Sequence, residues 1–225
     1  GPRPSGAIAE PAATKGRRLV FVDKPERTQT QILIGGLGTR ADDPDHTALS
    51  AAIAVFGGTF TSRLMREVRS KRGWSYGASA RIAIERARHA FTMWTFPAAT
   101  DAAACIALEL DLLHALVGSG ITARELSFIK NYLVRSHAFE VDTPQKRLHQ
   151  ALDTELLGLP PDYYPSYVDR VRAVDVDAAN AAVARRLSLE DLVVVVVGTA
   201  ATTLDGVRDA IPTLARHDVV PYDRD

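Results

Sequence analysis

Leu192-Val193-Val194-Val195-Val196-Val197 is an unbroken apolar run, one leucine and five valines, closed by Gly198. β-Branched side chains suit an extended backbone and crowd the turns of a helix. The run has the length of a strand and falls short of a helix. No polar residue alternates with the apolar ones, so the pattern predicts a strand buried on both faces. A strand of that kind places a sheet at the centre of the fold.

The elements around it follow from local pattern. Arg18 to Val22 reads as a short strand, and Lys24-Pro25-Glu26-Arg27 as the turn after it. Thr28 to Gly36 alternates Gln29 and Gln31 with Thr30, Ile32 and Ile34, a strand pattern that Gly35, Gly36 and Gly38 are expected to end. Leu49, Ile53, Val55 and Phe56 predict a helix buried on one side and stopped by Gly57-Gly58. Thr61 or Ser62 can cap the next helix, with Leu64, Met65 and Val68 inward and Gly73 at its left-handed close. Tyr76 to Ile84 and Ala90 to Phe96 predict an antiparallel hairpin around Glu85-Arg86-Ala87-Arg88.

A run of helices follows. The first spans Thr100 to Val117, and the second opens on the capping box Thr122-Ala123-Arg124-Glu125 and reaches about Glu140. Thr143-Pro144 starts a third that ends near Gly158, and Pro161-Asp162 and Asp175 open two shorter ones. A final helix around Leu204 to Ile211 precedes a ragged tail. Strands and helices are grouped rather than alternating, which predicts an α+β fold: a mixed β-sheet with helices packed on one face. Residues 1–16, rich in Gly, Pro and Ala, read as a linker or disordered N-terminal segment, a trimmed terminus or an expression scar. Residues 17–225 read as a single domain with no internal repeat.

Lys+Arg and Asp+Glu balance at 27 each, which argues against a generally basic nucleic-acid surface. No segment stays apolar for the ~20 residues of a membrane span, so no membrane insertion is expected. Cys105 is the only cysteine, and its neighbours Ala104, Ile106 and Leu108 predict a buried, inert thiol.

Candidate chemistry concentrates in Arg69-Ser70-Lys71-Arg72-Gly73-Trp74-Ser75-Tyr76. A permanently charged guanidinium and a neutral phenol, seven positions apart across a helix stop, can both donate to a carbonyl oxygen that becomes an oxyanion. The plainer reading is a packed tyrosine and a surface arginine. Arg63, Arg66, Arg69 and Arg72 recur every third residue and fan over half a helix surface, the pattern of a solvated basic face. Gly57-Gly58-Thr59-Phe60-Thr61-Ser62 is neither a nucleophile elbow nor a Walker loop. Its glycines read as a turn where two helices meet closely, or as a loop lining a site. His137-Ala138-Phe139-Glu140-Val141 approaches a zinc helix, but Val141 stands where a second imidazole is needed. No metal site is expected on this chain.

Gly57-Gly58-x-x-x-Ser62-Arg63-Leu64 followed by Arg66-Glu67-x-Arg69-x-x-Arg72-Gly73-x-x-Tyr76 resembles the zinc-free half of pitrilysin/insulinase-family metallopeptidases. The resemblance also takes in Val22-Asp23-Lys24-Pro25, Gly120-Ile121-Thr122-x-x-Glu125-Leu126, Gly158-Leu159-Pro160 and Val195-Val196-Val197-Gly198, in order, over about Arg17 to Gly198. It implies the half-domain fold of the mitochondrial processing peptidase-like metallohydrolases, in which two related halves enclose a chamber. One half carries His-x-x-Glu-His and zinc, and the other supplies an arginine–tyrosine pair. The resemblance assigns Arg69 and Tyr76 to that pair, as catalytic and substrate-binding residues. It implies no cofactor on this chain, zinc on a partner half (same polypeptide or separate subunit), and a peptide substrate. A member of the superfamily with a structural or assembly role is the alternative. The resemblance leans toward a bacterial periplasm or envelope.

Overall fold

The computed structural model describes residues 8–223. The expected linker over residues 1–16 lies, for its first seven residues, outside the described residues. The sheet has six strands: β1 (Arg17–Asp23), β2 (Gln31–Leu37), β3 (Ala78–Ile82), β4 (Ala90–Thr95), β5 (Val193–Gly198) and β6 (Leu214–Pro221), in the order β3-β4-β2-β5-β1-β6. β1 runs parallel to β5 and to β6, whereas β2, β4 and β3 pair antiparallel. The sheet is therefore mixed, as expected.

Register sorts the side chains into rows. Phe21, Val196, Ile32, Thr95 and Ala78 lie side by side across β1, β5, β2, β4 and β3. Next to them lie Leu19, Val194, Ile34, Met93 and Ala80. All of these residues are buried. The helices α1 (His46–Gly57), α2 (Ala102–Ser119), α3 (Ala123–Glu140), α6 (Val176–Arg186) and α7 (Ala200–Asp209) add their own buried residues to this core. In contrast, α4 (Pro144–Leu157) has no buried residue and α5 (Tyr167–Ala173) buries Val171 apart from it. Each full burial of such an aliphatic or aromatic side chain contributes about 1.5–3 kcal/mol. The opposite row, Val20, Val195, Leu33 and Trp94, is only partly covered, and Trp94 is 39% exposed.

That asymmetry corrects the first expectation. β5 buries Val194, Val196 and Gly198 but leaves Val193, Val195 and Val197 half-buried, so its valine run has one covered face. Further corrections concern ends. Gly35 and Gly36 belong to β2, because a Cβ on Gly35 would lie 2.4 Å from the Phe91 carbonyl oxygen on the paired strand. Pro161-Asp162 opens turns, and the helix starts at Tyr167. The ragged tail is edge strand β6, its sparse apolar residues reflecting exposure on both sides. α2 with its preceding turn, Ala99–Ser119, is long and apolar enough to cross a membrane. Its Cys105, Ile106, Leu110, Leu113 and Leu116 instead pack into the core.

Gly57, the last residue of α1, lies against the edge strand: a Cβ there would fall 2.3 Å from the Ala80 backbone nitrogen. The close approach joins a helix to a strand, not two helices. Gly57→Ala is expected to cost about 1–3 kcal/mol by overpacking, lowering Tm by ~2–10 °C for a chain of this size. Gly118→Ala, at an exposed position of α2 with nothing within 4 Å, should hold or raise Tm. Thermal unfolding of both variants checks this, and equal melting temperatures would refute the contact.

Candidate functional site

After Gly57 the chain turns through Gly58-Thr59-Phe60-Thr61 into a helical segment that Ser62 caps, its Oγ accepting from the Met65 N–H at 3.5 Å. Leu64, Met65 and Val68 are buried as expected. The segment Met65–Ser70 is nevertheless π-helical, with the Lys71 N–H bonded to the Arg66 carbonyl at 3.0 Å. The wider turn is uncommon and concentrates at functional sites. Gly73, at φ +67°, then reverses the chain, as its position predicted.

The four arginines meet different partners. Arg63 binds Glu125 through both carboxylate oxygens at 2.8 Å and donates to the Gly120 carbonyl at 2.9 Å. Glu125 closes the capping box of α3 at the same time. Glu67 gathers Lys71 at 2.7 Å, Arg72 at 3.0 Å and Arg66 at 3.5 Å. Those donors, Lys71 foremost, lower its pKa against the cost of burial. Arg69 takes part in no ion pair among the described residues. Its guanidinium carbon lies 4.2 Å from the centroid of the Tyr76 ring and 5.6 Å from that of Phe60. The solvated basic face is thus mostly neutralised, leaving one cation stacked on aromatic rings.

The structure brings Arg69 and Tyr76 together, the guanidinium over the ring rather than hydrogen-bonded to the phenol. Tyr76 is 74% exposed and Phe60 75% exposed. Stacking contributes about 0.5–1 kcal/mol at such a site and orients the guanidinium plane, leaving its N–H edges free. The corner under Tyr76 is fixed by buried Ser75, which donates to the Gly77 carbonyl at 2.6 Å and accepts from the Phe96 N–H at 3.1 Å. Neither Phe60 nor Ser75 was singled out from sequence. The signal for Phe60 was present: an aromatic among Gly and Thr has no apolar partners at helix or strand spacing.

The remaining candidates behave as core or scaffold. Cys105 is buried, and desolvation pushes its thiol up to about 12. His137 stacks on Tyr167 with ring centroids 4.7 Å apart. Among the described residues no three His, Cys, Asp or Glu side chains converge, so the donor set does not fit zinc. A cavity of about 490 Å³ opens between α1, α3, α5 and β3, lined by Tyr132, Tyr163, Tyr164 and Arg170. Arg69 and Tyr76 lie outside it, on an open corner.

The fold is an α+β one, a mixed sheet with helices packed on one face, and Arg69 and Tyr76 lie on an open corner of it. Residues 1–133 match the family described as peptidase M16 inactive domain, and the chain belongs to that family. The peptidase M16 inactive domain of Pseudomonas fluorescens superposes with a TM-score of 0.78 at 28% identity, covering 85% of this chain and 45% of that one. A protease from Helicobacter pylori gives 0.76 at 16% identity, over 88% of this chain and 47% of that one. The non-peptidase homolog YmxG of Helicobacter pylori is 23% identical over 143 residues, which are 64% of this chain and 33% of that protein. The chain therefore spans a third to a half of the length of these relatives.

Arg63 holds the π-helical segment to α3, and this can be read by pH. Its hydrogen bond is the largest cause that lowers Glu125 from 4.5 to about 2. A depressed carboxylate stabilises the fold fully above about 4.5, and that stability is lost as pH falls toward 2. Arg63→Met should therefore lower the urea midpoint near neutrality and flatten the fall between about pH 5 and 3 relative to wild type. Parallel pH slopes in the two proteins would show that Arg63 does not hold Glu125.

Proposed function

We propose that this chain is the zinc-free half of a pitrilysin/insulinase-type metallopeptidase, acting through residues 17–225 as one domain. Arg69 and Tyr76 would face the peptide at a zinc site on a partner half, on the same polypeptide or a separate subunit. The carrying observation is that Arg69, unlike Arg63, Arg66 and Arg72, forms no ion pair among the described residues and lies over the exposed Tyr76 ring and near that of Phe60. Membership of the inactive-domain family and the half-length coverage of its solved relatives support the reading. So does the partly bare row of Val195, Leu33 and Trp94.

The partner's zinc would supply Lewis-acid polarisation of the attacking water. The Tyr76 phenol donates to the scissile carbonyl oxygen, and its bond strengthens as that oxygen takes up charge. The Arg69 guanidinium, seated over the Tyr76 ring, donates to the peptide backbone or to the same oxygen. Neither group takes a proton from water or attacks carbon, so the chain alone does not cleave peptides.

A second reading has its own support: YmxG, a relative by sequence, is described as a non-peptidase homolog. On that reading the fold serves assembly, and the Arg69–Tyr76 stack is structural. The test is to mix this chain with a half that carries His-x-x-Glu-His and assay peptide cleavage. Tyr76→Phe should reduce kcat by about 100-fold or more, equivalent to ~3 kcal/mol of lost oxyanion stabilisation, with the zinc content of the mixture unchanged. Near-normal turnover by that variant would remove Tyr76 from the chemistry. No cleavage in any pairing would favour the assembly role.

A further inference from the structure

Glu109 is 0% exposed on the inner face of α2, among Cys105, Ile106 and Leu113. Its Oε2 accepts from the Thr95 hydroxyl at 3.1 Å, and its Oε1 has no hydrogen-bond partner. A buried carboxyl with an orphaned oxygen is costly to retain, and here it sits at the end of β4. Thr95 pairs in register with Ala78, two residues beyond Tyr76. The next residue, Phe96, donates its N–H to Ser75 Oγ, and Ser75 in turn binds the Gly77 carbonyl. The residues on either side of Tyr76 are thus fastened to the end of β4, and that end is fastened to Glu109.

We infer that Glu109 is a positioning residue for Tyr76: neutral, it stays dry between α2 and the end of β4, and ionised, its donorless Oε1 draws in water that parts the two and loosens the corner that holds the phenol. The proton leaves to solvent, and no other group need change state. Burial pushes the Glu109 carboxyl up to about 8, so the neutral form prevails at pH 7 and the charged form above about 8. From its own helix it faces the Cys105 thiol, itself pushed up to about 12. β4 presents Thr95. The buried residues of α6 and α7, which pack against α2, are Ala179, Ala182, Val183, Thr203 and Val207, none of them charged, and the turn before α2 adds only the acid Asp101. Among the described residues no cationic side chain offsets the charge. Opening would release Ser75 from Phe96 and let the Tyr76 ring leave Arg69.

This inference rests on Arg69 and Tyr76 being the substrate-facing pair, but its test needs no partner half, so the two ideas fail separately. The full chain is titrated from pH 6 to 9 by site-resolved NMR. The Glu109 carboxyl carbon, the Ser75 and Phe96 amides and the Tyr76 ring signals are followed together. All are expected to move with one midpoint near 8. Glu109→Gln, which keeps the shape and cannot ionise, should hold Tyr76 in its low-pH environment throughout. Ser75→Ala should leave Phe96 following Glu109 while Tyr76 no longer does, a decoupling that a merely structural carboxyl would not produce. Tyr76 signals that ignore the Glu109 titration in wild type would overturn the inference even if the glutamine variant fails to fold. So would an unchanged titration in that variant.

Discussion

The backbone of Gly57 lies against Ala80 with no room for a methyl group between them. Because α1 ends there, the loop that follows must leave beside the edge strand, and it carries Phe60 outward at that point. The helical segment that Ser62 caps then sets Leu64 and Val68 in the core before and within the π turn, so Arg69 is left at its rim. The hairpin that supplies Ala80 also begins two residues after Tyr76. One contact thus sets the helix, the loop and the strand that bring Phe60, Arg69 and Tyr76 together. A larger residue at Gly57 would separate Phe60 and Arg69 from Tyr76 without touching any of the three.

Charge decides which cation in that segment is free for work. Arg63 is spent on Glu125, where bidentate geometry and partial burial make the bond structural. Arg66, Lys71 and Arg72 crowd one carboxylate, Glu67, which is why Glu67 titrates low and why those cations contribute little field beyond it. Arg69 escapes because the extra residue of the π turn and the Gly73 reversal set it under aromatic rings instead of beside an acid. The balanced composition of the chain conceals this, because it does not say which cations are paired: within this segment Arg63, Arg66, Lys71 and Arg72 each meet a carboxylate and Arg69 does not.

Much of the fold was legible because local chemistry and tertiary context agreed. The Thr122–Glu125 capping box, Pro144 after its Thr143 cap and the left-handed Gly73 and Gly158 all fall where their side-chain or backbone requirements place them. What stayed hidden needed a neighbour distant in sequence. The valine run of β5 is blind to which face is covered, and the π turn has no propensity signature that separates it from an α-helix. β6 is too polar to read as a strand, and only its pairing with β1 makes it one. Arg69 and Tyr76 were readable as candidates from spacing, but their stacking depends on Phe60 and on a corner pinned by Ser75 from another strand. Glu109 could have been flagged, since it occupies the apolar face of α2 four residues from Cys105 and four from Leu113. An acid at that position must either pair or stay neutral.

The exposure of the site carries its own consequence. In bulk water a unit-charge contact at 4 Å is worth about 1 kcal/mol, and roughly four times that at an effective dielectric of 20. A guanidinium and a phenol on an open corner therefore do little for a carbonyl oxygen while water competes for the same lone pairs. They become strong only when a second surface excludes that water. The half-bare row of Val195, Leu33 and Trp94 has the same need, because its apolar area gains nothing until something covers it. The polar corner and the apolar face are thus incomplete for one physical reason, and a single covering half would satisfy both.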